Sequence, residues 1–331
     1  MSGVDPVRPG PLLGTAPNPD AALSVRGLTK RFGSFTAVDG IDFDVPRGQI
    51  FGFLGPNGSG KTTTIRMLTG TSGADAGQAL VLGEDVLRHP ERIKMRFGYM
   101  SQKFSLFEDL TVDENLRFYA GVYDLTADEF ARQREYVLDM ADLRGRENEL
   151  TANLSVGWRQ RLALGTATIH EPELLFLDEP TGGVDPVARR QFWDLLYDLA
   201  SRGVTLFVTT HYMDEASNCN QLAFIYRGRL IAGGAPHDIR RELITEQVVE
   251  VSVGDVNRAL QWLERAPGVE EAYLSGARVH AVLQADAAGA DPAGTVTAAL
   301  RAAGFGDAAV VVVEPTLEDV FVNLVAREQG R

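Results

Sequence analysis

The spacing of apolar residues changes character several times along this chain, and each change marks an element. From Leu23, "LSVRGLTKRFG" and "FTAVDGIDFDVPRGQIFGFLG" alternate apolar with polar positions, a period that predicts short strands broken at Gly and Pro. Within them "QIFGFLG" is apolar enough to predict a buried strand, and it runs into the glycine-rich stretch Gly55 to Thr63, "GPNGSGKTT". Ile65 and Leu68 follow three apart, as one helix face requires. A turn-rich segment reaches about residue 95, after which "FGYM" is strand-like and Thr111, with Glu114 three residues on, predicts a helix with a capping box. Charged helical sequence continues to about residue 148.

Ser155 stands as N-cap before a helix with apolar Leu162, Ala163, Leu164 and Ala167. The run Leu174 to Leu177 is too short, and too closely flanked by turn residues, for a helix; it predicts a buried strand delivering Asp178 and Glu179 to its C-terminal end. Asp185 before Pro186 reads as an N-cap followed by proline at the first helical position, and "GVTLFVTTH" as a further buried strand ending in His211. The C-terminal segment reads strand "QVVEVSV", helix "DVNRALQWLERA", two strands around Ser275 and Gly276, helix "DPAGTVTAALRAAG" and strand "AAVVVVEP", with a final helix "TLEDVFVNLVARE". That βαββαβ order is ferredoxin-like. Residues 1 to 22, with five prolines and three glycines and no periodicity, are expected to be a disordered tail.

Candidate chemistry clusters on these predicted elements. Gly55, Gly60, Lys61 and Thr62 fill the defining places of Gly-x-x-x-x-Gly-Lys-Thr, between a strand and a helix. Glycines at this density, with Pro56, Asn57, Gly58 and Ser59 completing the loop, let backbone N–H groups approach phosphate oxygens, and the following helix presents its positive end. Lys61 would reach terminal phosphates, and Thr62, next to Thr63, would offer Mg²⁺ a hydroxyl. These residues imply a nucleoside triphosphate and nothing narrower.

Adjacent carboxylates at a strand end are expected to point in opposite directions, so Asp178 suits the Mg²⁺ hydration shell and Glu179 the attacking water, as general base. Gln102 reads either as an ordinary polar loop residue or as an amide touching Mg²⁺ or a water, and His211 either as a structural histidine or as a partner of a terminal phosphate. Phe32 is either a hydrophobic plug or a ring for stacking on a base; His280 is lone, and its reading is structural.

Composition then limits the partners. The 331 residues leave room for about two domains with their own cores. A formal net charge of −13 without a basic stripe argues against extended nucleic-acid contact. One cysteine, Cys219, allows no internal disulfide and suggests a reducing compartment. No run approaches the ~18 apolar residues of a membrane-spanning helix. The first residues lack a basic-then-apolar leader, so the expectation is a chain inside the cell whose membrane role, if any, comes through a partner.

In their order the motifs resemble the ATP-binding cassette (ABC) family, from about Leu23 to Ala235: the phosphate loop, Gln102, the helix-start signature "LSVGWRQR" at 154 to 161, "LLFLDEP" at 174 to 180, Asp185 and His211. The resemblance implies an α/β, P-loop NTPase fold: a cassette over about 23–240 with a RecA-like core, an antiparallel β subdomain and a helical subdomain at about 105–165. A smaller α+β ferredoxin-like domain would follow at 245–331. It also implies two cassettes sandwiching two ATP molecules with Mg²⁺. Lys61, Gln102, Glu179 and His211 would then act in cis, with Asp185 near the nucleotide, while Ser155 and Gly157 would reach the γ-phosphate on the other cassette. Phe32 matches the aromatic that stacks on adenine. Val156 and Trp158 depart from the commonest signature, Leu-Ser-Gly-Gly-Gln; because a β-branched residue disfavours φ > 0, Val156 is expected to keep ordinary dihedrals.

The ending "PTLEDVFVNL" resembles ATPases serving type-2 exporters, the branch that includes drug and antibiotic self-resistance pumps. The leading expectation is an ATPase subunit, peripheral at the cytoplasmic face of the membrane, driving efflux of a drug-like or lipophilic substrate. It would do so through a separate transmembrane permease and a second cassette, a homodimer by expectation. The alternatives are a soluble cassette ATPase acting on ribosomes or DNA, a nucleotide-gated regulatory module, and an import ATPase.

Overall fold

Glycines that look like strand breaks in the first unit are bulges. In the computed structural model, which describes residues 16–243, 247–284 and 291–329, β1 (Leu23–Phe32) and β2 (Phe35–Val45) pair antiparallel along their whole length. Register shifts fall around Leu28 and Lys30, and Gly27 and Gly40 take left-handed φ of 56° and 63° there. The chain then runs through β3 (Ile50–Leu54), α1 (Lys61–Leu68), β4 (Ala76–Val81), the short β5 (Glu84–Asp85) and β6 (Phe97–Met100). Next come α2 (Val112–Val122), α3 (Ala127–Met140), α4 (Val156–Thr168), β7 (Leu174–Asp178) and α5 (Pro186–Ser201). β8 (Thr205–Thr210), α6 (Met213–Ala216), β9 (Gln221–Tyr226) and β10 (Arg229–Gly234) complete the first unit, Met1–Ala235.

Two sheets enclose its main core. One is antiparallel, in the order β2-β1-β4-β5; the other has six strands, β10-β9-β3-β8-β7-β6, parallel except for β10. Phe43 of β2 meets Phe51 of β3 and Phe207 of β8 at centroid separations of 5.7 and 6.0 Å, and these rings lie among buried Leu23, Val25, Ile65 and Phe176. The expected tail through residue 22 ends too late. Residues 1–15 lie outside the described residues, but Ala21 and Ala22 are buried and Ala22 N–H donates to Val45 carbonyl at 2.8 Å, so the chain is packed before β1 begins.

The parallel register brings the chemistry to one edge. Met100 of β6 is opposite Leu177 of β7, Asp178 is opposite Thr209 of β8, and Leu54 of β3 is opposite Thr210. Residues just past these ends, Gly55, Gln102, Glu179 and His211, therefore leave the sheet at one level, where open α/β sheets hold ligands.

The helical part, α2 to α4, has its own core of Val112, Leu116, Val137, Leu138, Leu154, Leu162 and Ile169. Capping boxes at Thr111/Glu114 and Thr126/Glu129 start α2 and α3.

The second unit, Pro236–Arg331, opens with α7 (Pro236–Leu243), which falls before the boundary expected from sequence because it packs with the last helix. It continues with β11 (Val248–Ser252), α8 (Val256–Leu263), β12 (Val269–Ser275), β13 (Arg278–Leu283), α9 (Pro292–Ala302), β14 (Ala309–Val313) and α10 (Leu317–Gln329). Its sheet is antiparallel in the order β12-β13-β11-β14, the arrangement of a ferredoxin-like βαββαβ unit. His280 is not lone. It is buried, with Nδ1 2.7 Å from Asp319 Oδ1 of α10 and Nε2 3.4 Å from Glu250 Oε2 of β11, and Tyr273 hydroxyl donates to the same Asp319 oxygen.

Candidate active site

The loop between β3 and α1 is shaped by what it must pass. A Cβ on Gly55 would stand 2.2 Å from Ile225 carbonyl, and one on Gly60 2.6 Å from Ala37 carbonyl, so glycine is obligatory at both. Gly60, at φ 114°, starts α1 without any side-chain cap, which leaves the first-turn N–H groups available to an anion. Pro56 is half-buried, Asn57 and Gly58 are exposed at the tip, and Gly58 takes φ 79° with open space where a Cβ would be. Ser59 Oγ is buried with no hydrogen-bond partner, an orphan aimed at nothing in the protein.

Lys61 is buried and folds back over this loop. Its ammonium donates to Gly55 carbonyl at 2.7 Å and Pro56 carbonyl at 3.2 Å, and lies 3.0 Å from Glu179 Oε1. Thr62 hydroxyl donates to Asp178 Oδ2 at 2.9 Å, while Thr63 is half-buried beside it. Gln102 Nε2 donates to Glu179 Oε2 at 3.0 Å. His211 Nδ1 lies 3.2 Å from that same oxygen, off the line of a hydrogen bond. Lys61, Gln102 and His211 thus all converge on one carboxylate.

Asp178 and Glu179 do not point apart as strand alternation suggests. β7 ends at Asp178, and Glu179 takes the left-handed φ of 49°, which swings its side chain back to the same loop. Asp178 meets Thr62 and Glu179 meets Lys61, neighbours on α1. Such a conformation in a buried non-glycine residue costs about 1–3 kcal/mol and persists where its surroundings hold it. One holder is Thr209, which sequence reasoning missed: its hydroxyl donates to Asp178 Oδ1 at 2.6 Å and accepts Glu179 N–H at 3.0 Å. Threonines in a strand buried along its whole length were the available signal, since a buried hydroxyl needs a partner.

Phe32 is exposed, as is its cross-strand partner Phe35 at the hairpin tip, and Lys30 Nζ lies 5.5 Å above the Phe32 ring; a ring left in solvent is not a plug.

Ser155, Gly157 and Asp185 form a second group, not joined to the first by hydrogen bonds or ion pairs among the described residues. Ser155 caps α4, accepting Trp158 N–H at 3.4 Å, and Gly157 faces Ala188 of α5. Asp185 caps α5 by accepting Val187 and Ala188 N–H at 3.0 Å each. Val156 is the first residue of α4 and has no positive φ, as expected. Trp158 is gripped between guanidinium groups, Arg146 at 4.4 Å and Arg161 at 5.2 Å from its ring centroid, and packs on the helical core.

Among the described residues no three His, Cys, Asp or Glu side chains are gathered as a metal cage. A hydroxyl and one carboxylate is instead the sparse oxygen set with which Mg²⁺, keeping its waters and substrate phosphates, is usually bound. The orphaned Ser59 hydroxyl, the uncapped α1 and the Thr62–Asp178 pair fit a Mg²⁺–triphosphate.

Residues 38–182 match the family model described as ABC transporter. The chain is 45% identical over 231 residues to the probable multidrug ABC transporter ATP-binding protein YbhF of Escherichia coli, covering 69% of this chain but only 39% of that one. It is 43% identical over 269 residues to the Nod factor export ATP-binding protein I of Ralstonia nicotianae, with 81% and 82% of the two chains covered. A solved ATP-binding subunit of an ABC transporter superposes with a TM-score of 0.61 at 29% identity, over 67% of this chain and 92% of that one.

Proposed function

Because this chain belongs to the family of ABC transporter ATP-binding proteins, we propose that it is the ATP-hydrolysing subunit of an exporter. The observation that carries the proposal is the convergence of Lys61, Gln102 and His211 on Glu179 beside an uncapped glycine-rich loop. The backbone amides from Gly55 to Thr63 cradle the phosphates, Lys61 reaches the terminal ones, and Phe32 stacks on adenine. Thr62 and Asp178, with Gln102 at the edge, would hold Mg²⁺, which would supply positive charge against the triphosphate. Glu179 takes a proton from the attacking water, and His211 hydrogen-bonds the γ-phosphate as it leaves. In a homodimer, Ser155 and Gly157 at the start of α4 complete the γ-phosphate site of the second copy, with Asp185 beside them.

No helix among the described residues is long and apolar enough to cross a membrane. The proposed pathway for cargo is a separate permease, with this chain peripheral to it on the cytoplasmic face. Its docking place is the helical part next to the Gln102 loop, where Phe107 and Phe118 are exposed with ring centroids 4.6 Å apart. The names of the relatives, multidrug and Nod factor export, favour export over import, and the proposed cargo is a drug-like or lipophilic substrate. The second unit is read as an accessory domain.

Membrane preparations test this. Co-expressed with a six-helix membrane protein from a neighbouring reading frame, the chain should fractionate with membranes and hydrolyse ATP in a Mg²⁺-dependent way, at a rate that responds to that partner. Robust ATP turnover with no membrane association would favour the soluble ATPase. Mg²⁺-ATP binding without turnover under both conditions would favour a regulatory module.

A further inference from the structure

His211 and the loop leaving Glu179 are tied together by a buried carboxylate that none of the roles above uses. Glu215, on α6, is almost fully buried, and its Oε1 accepts a short hydrogen bond from the Thr181 hydroxyl. Thr181 is itself buried, two residues beyond Glu179 in the loop where Gly182 N–H returns to Glu179 carbonyl at 3.1 Å. Arg189 of α5 approaches the same Oε1 with Nε at 3.5 Å, reaches Asp214 Oδ2 with Nη1 at 3.3 Å, and lays its guanidinium 4.3 Å from the centroid of Tyr212. Tyr212 in turn lies beside His211, with ring centroids 4.1 Å apart and the planes tilted by 37°. Burial pushes the Glu215 carboxyl above its ordinary range, with the Thr181 and Thr210 hydroxyls and Arg189 acting the other way. Retaining such a costly group implies that its geometry matters.

Resting on the proposed ATPase reading, we infer that Glu215 is a positioning residue. It fastens the Glu179–Asp185 loop, through Thr181, and the first turns of α5, through Arg189, to the turn carrying His211. The carboxylate that takes the proton and the imidazole that meets the γ-phosphate then arrive as one body. Movement imposed on Asp185 at the head of α5 by a second copy reaches both groups through the same joint. Among the described residues none of Glu215, Thr181 and Arg189 makes a hydrogen bond or ion pair to the phosphate loop, so the joint acts on the chemical step and not on nucleotide capture.

The test is a double-mutant cycle in the full chain, reading kcat, nucleotide Kd and Tm. Thr181→Val removes the hydroxyl with little change of shape, and Glu215→Leu removes the acceptor. Each should lower kcat about 10- to 100-fold while ATP Kd stays within about 3-fold. The double variant should be no slower than the worse single one. Glu215→Gln, which keeps an acceptor oxygen for Thr181, should recover most of the rate. Wild-type turnover in Thr181→Val, multiplying losses in the double variant, or a rate loss matched by an equal loss of nucleotide affinity would each overturn the inference. Glu179→Gln runs alongside. If it stalls while Thr181→Val and Glu215→Leu turn over normally, only the joint is wrong; if it too turns over normally, the role of Glu179 falls as well.

Discussion

Lys61 Nζ and Glu179 Oε1 face each other at 3.0 Å, with both side chains nearly sealed from solvent. The ammonium that should hold the terminal phosphates is therefore also the counter-charge of the proposed base, and a triphosphate must share Lys61 with Glu179. Glu179→Gln should lower ATP turnover by about 10²–10⁴-fold. Because the amide no longer competes for Lys61, ATP should bind as tightly as before or more tightly. Lys61→Ala should instead weaken binding, and should lower Tm by leaving Glu179 buried without its partner. Single-turnover kinetics and nucleotide titration of the two variants check both halves.

Thr209 serves the Asp178 carboxylate and the Glu179 backbone N–H with one hydroxyl. Thr209→Val should cost about 1–3 kcal/mol of stability by leaving a buried Asp178 oxygen unmet, while the Glu179 N–H keeps the Thr209 carbonyl. It should also shift the Mg²⁺ concentration for half-maximal turnover upward, since Asp178 loses the bond that orients it beside Thr62. Thermal unfolding and a Mg²⁺ titration of ATPase rate measure the two effects.

Phe32 is 56% exposed, so its removal should scarcely affect folding. If it stacks on the base, Phe32→Ala should weaken ATP binding by about 1–3 kcal/mol, the usual worth of a base–aromatic stack. Binding of inorganic triphosphate, which has no base, should be unchanged. Comparing the two ligands on the same variant makes the check internal.

The second unit should respond to pH through His280. Its hydrogen bond to Asp319 holds the imidazole above its ordinary value of 6.5, so its contribution to stability is whole below that value and is lost as pH rises through the folded pKa. Burial alone would raise Asp319, but the bonds from His280, Tyr273 and Thr316 hold it below its ordinary 3.8. Its contribution is therefore present above that value and is lost as pH falls through the folded pKa. Calorimetry of the full chain should show the transition of this unit highest between the two ordinary values, and His280→Gln should flatten the alkaline limb.

How much of this was legible in the sequence depended on distance along the chain. Local signals were read well: the phosphate loop, the Thr111 and Ser155 caps and the βαββαβ order each lie within a few turns of sequence. Gly27 and Gly40 were misread because a bulge and a strand end use the same residue. The opposed aim expected of Asp178 and Glu179 assumed a strand through both, whereas Glu179 leaves it with a left-handed turn. The partners of His280 escaped notice because Glu250, Tyr273 and Asp319 reach it only through strand pairing and the docking of α10. Thr209 looked like one more β-branched residue, since no local pattern says which buried hydroxyl faces a carboxylate.

β3 lies between β8 and β9, so Phe51 is in register with Phe207 on one side and Gln221 on the other. During synthesis the phosphate loop leaves the ribosome early, on a strand whose two neighbours have not yet been made. Ala37, against which Gly60 lies, is already made by then, but until β9 has emerged Gly55 lacks the Ile225 carbonyl it passes, and the loop is walled on one side only. A nascent chain arrested before β8 carries the whole glycine-rich motif on an unpaired strand, and is expected to bind nucleotide more weakly than the finished unit.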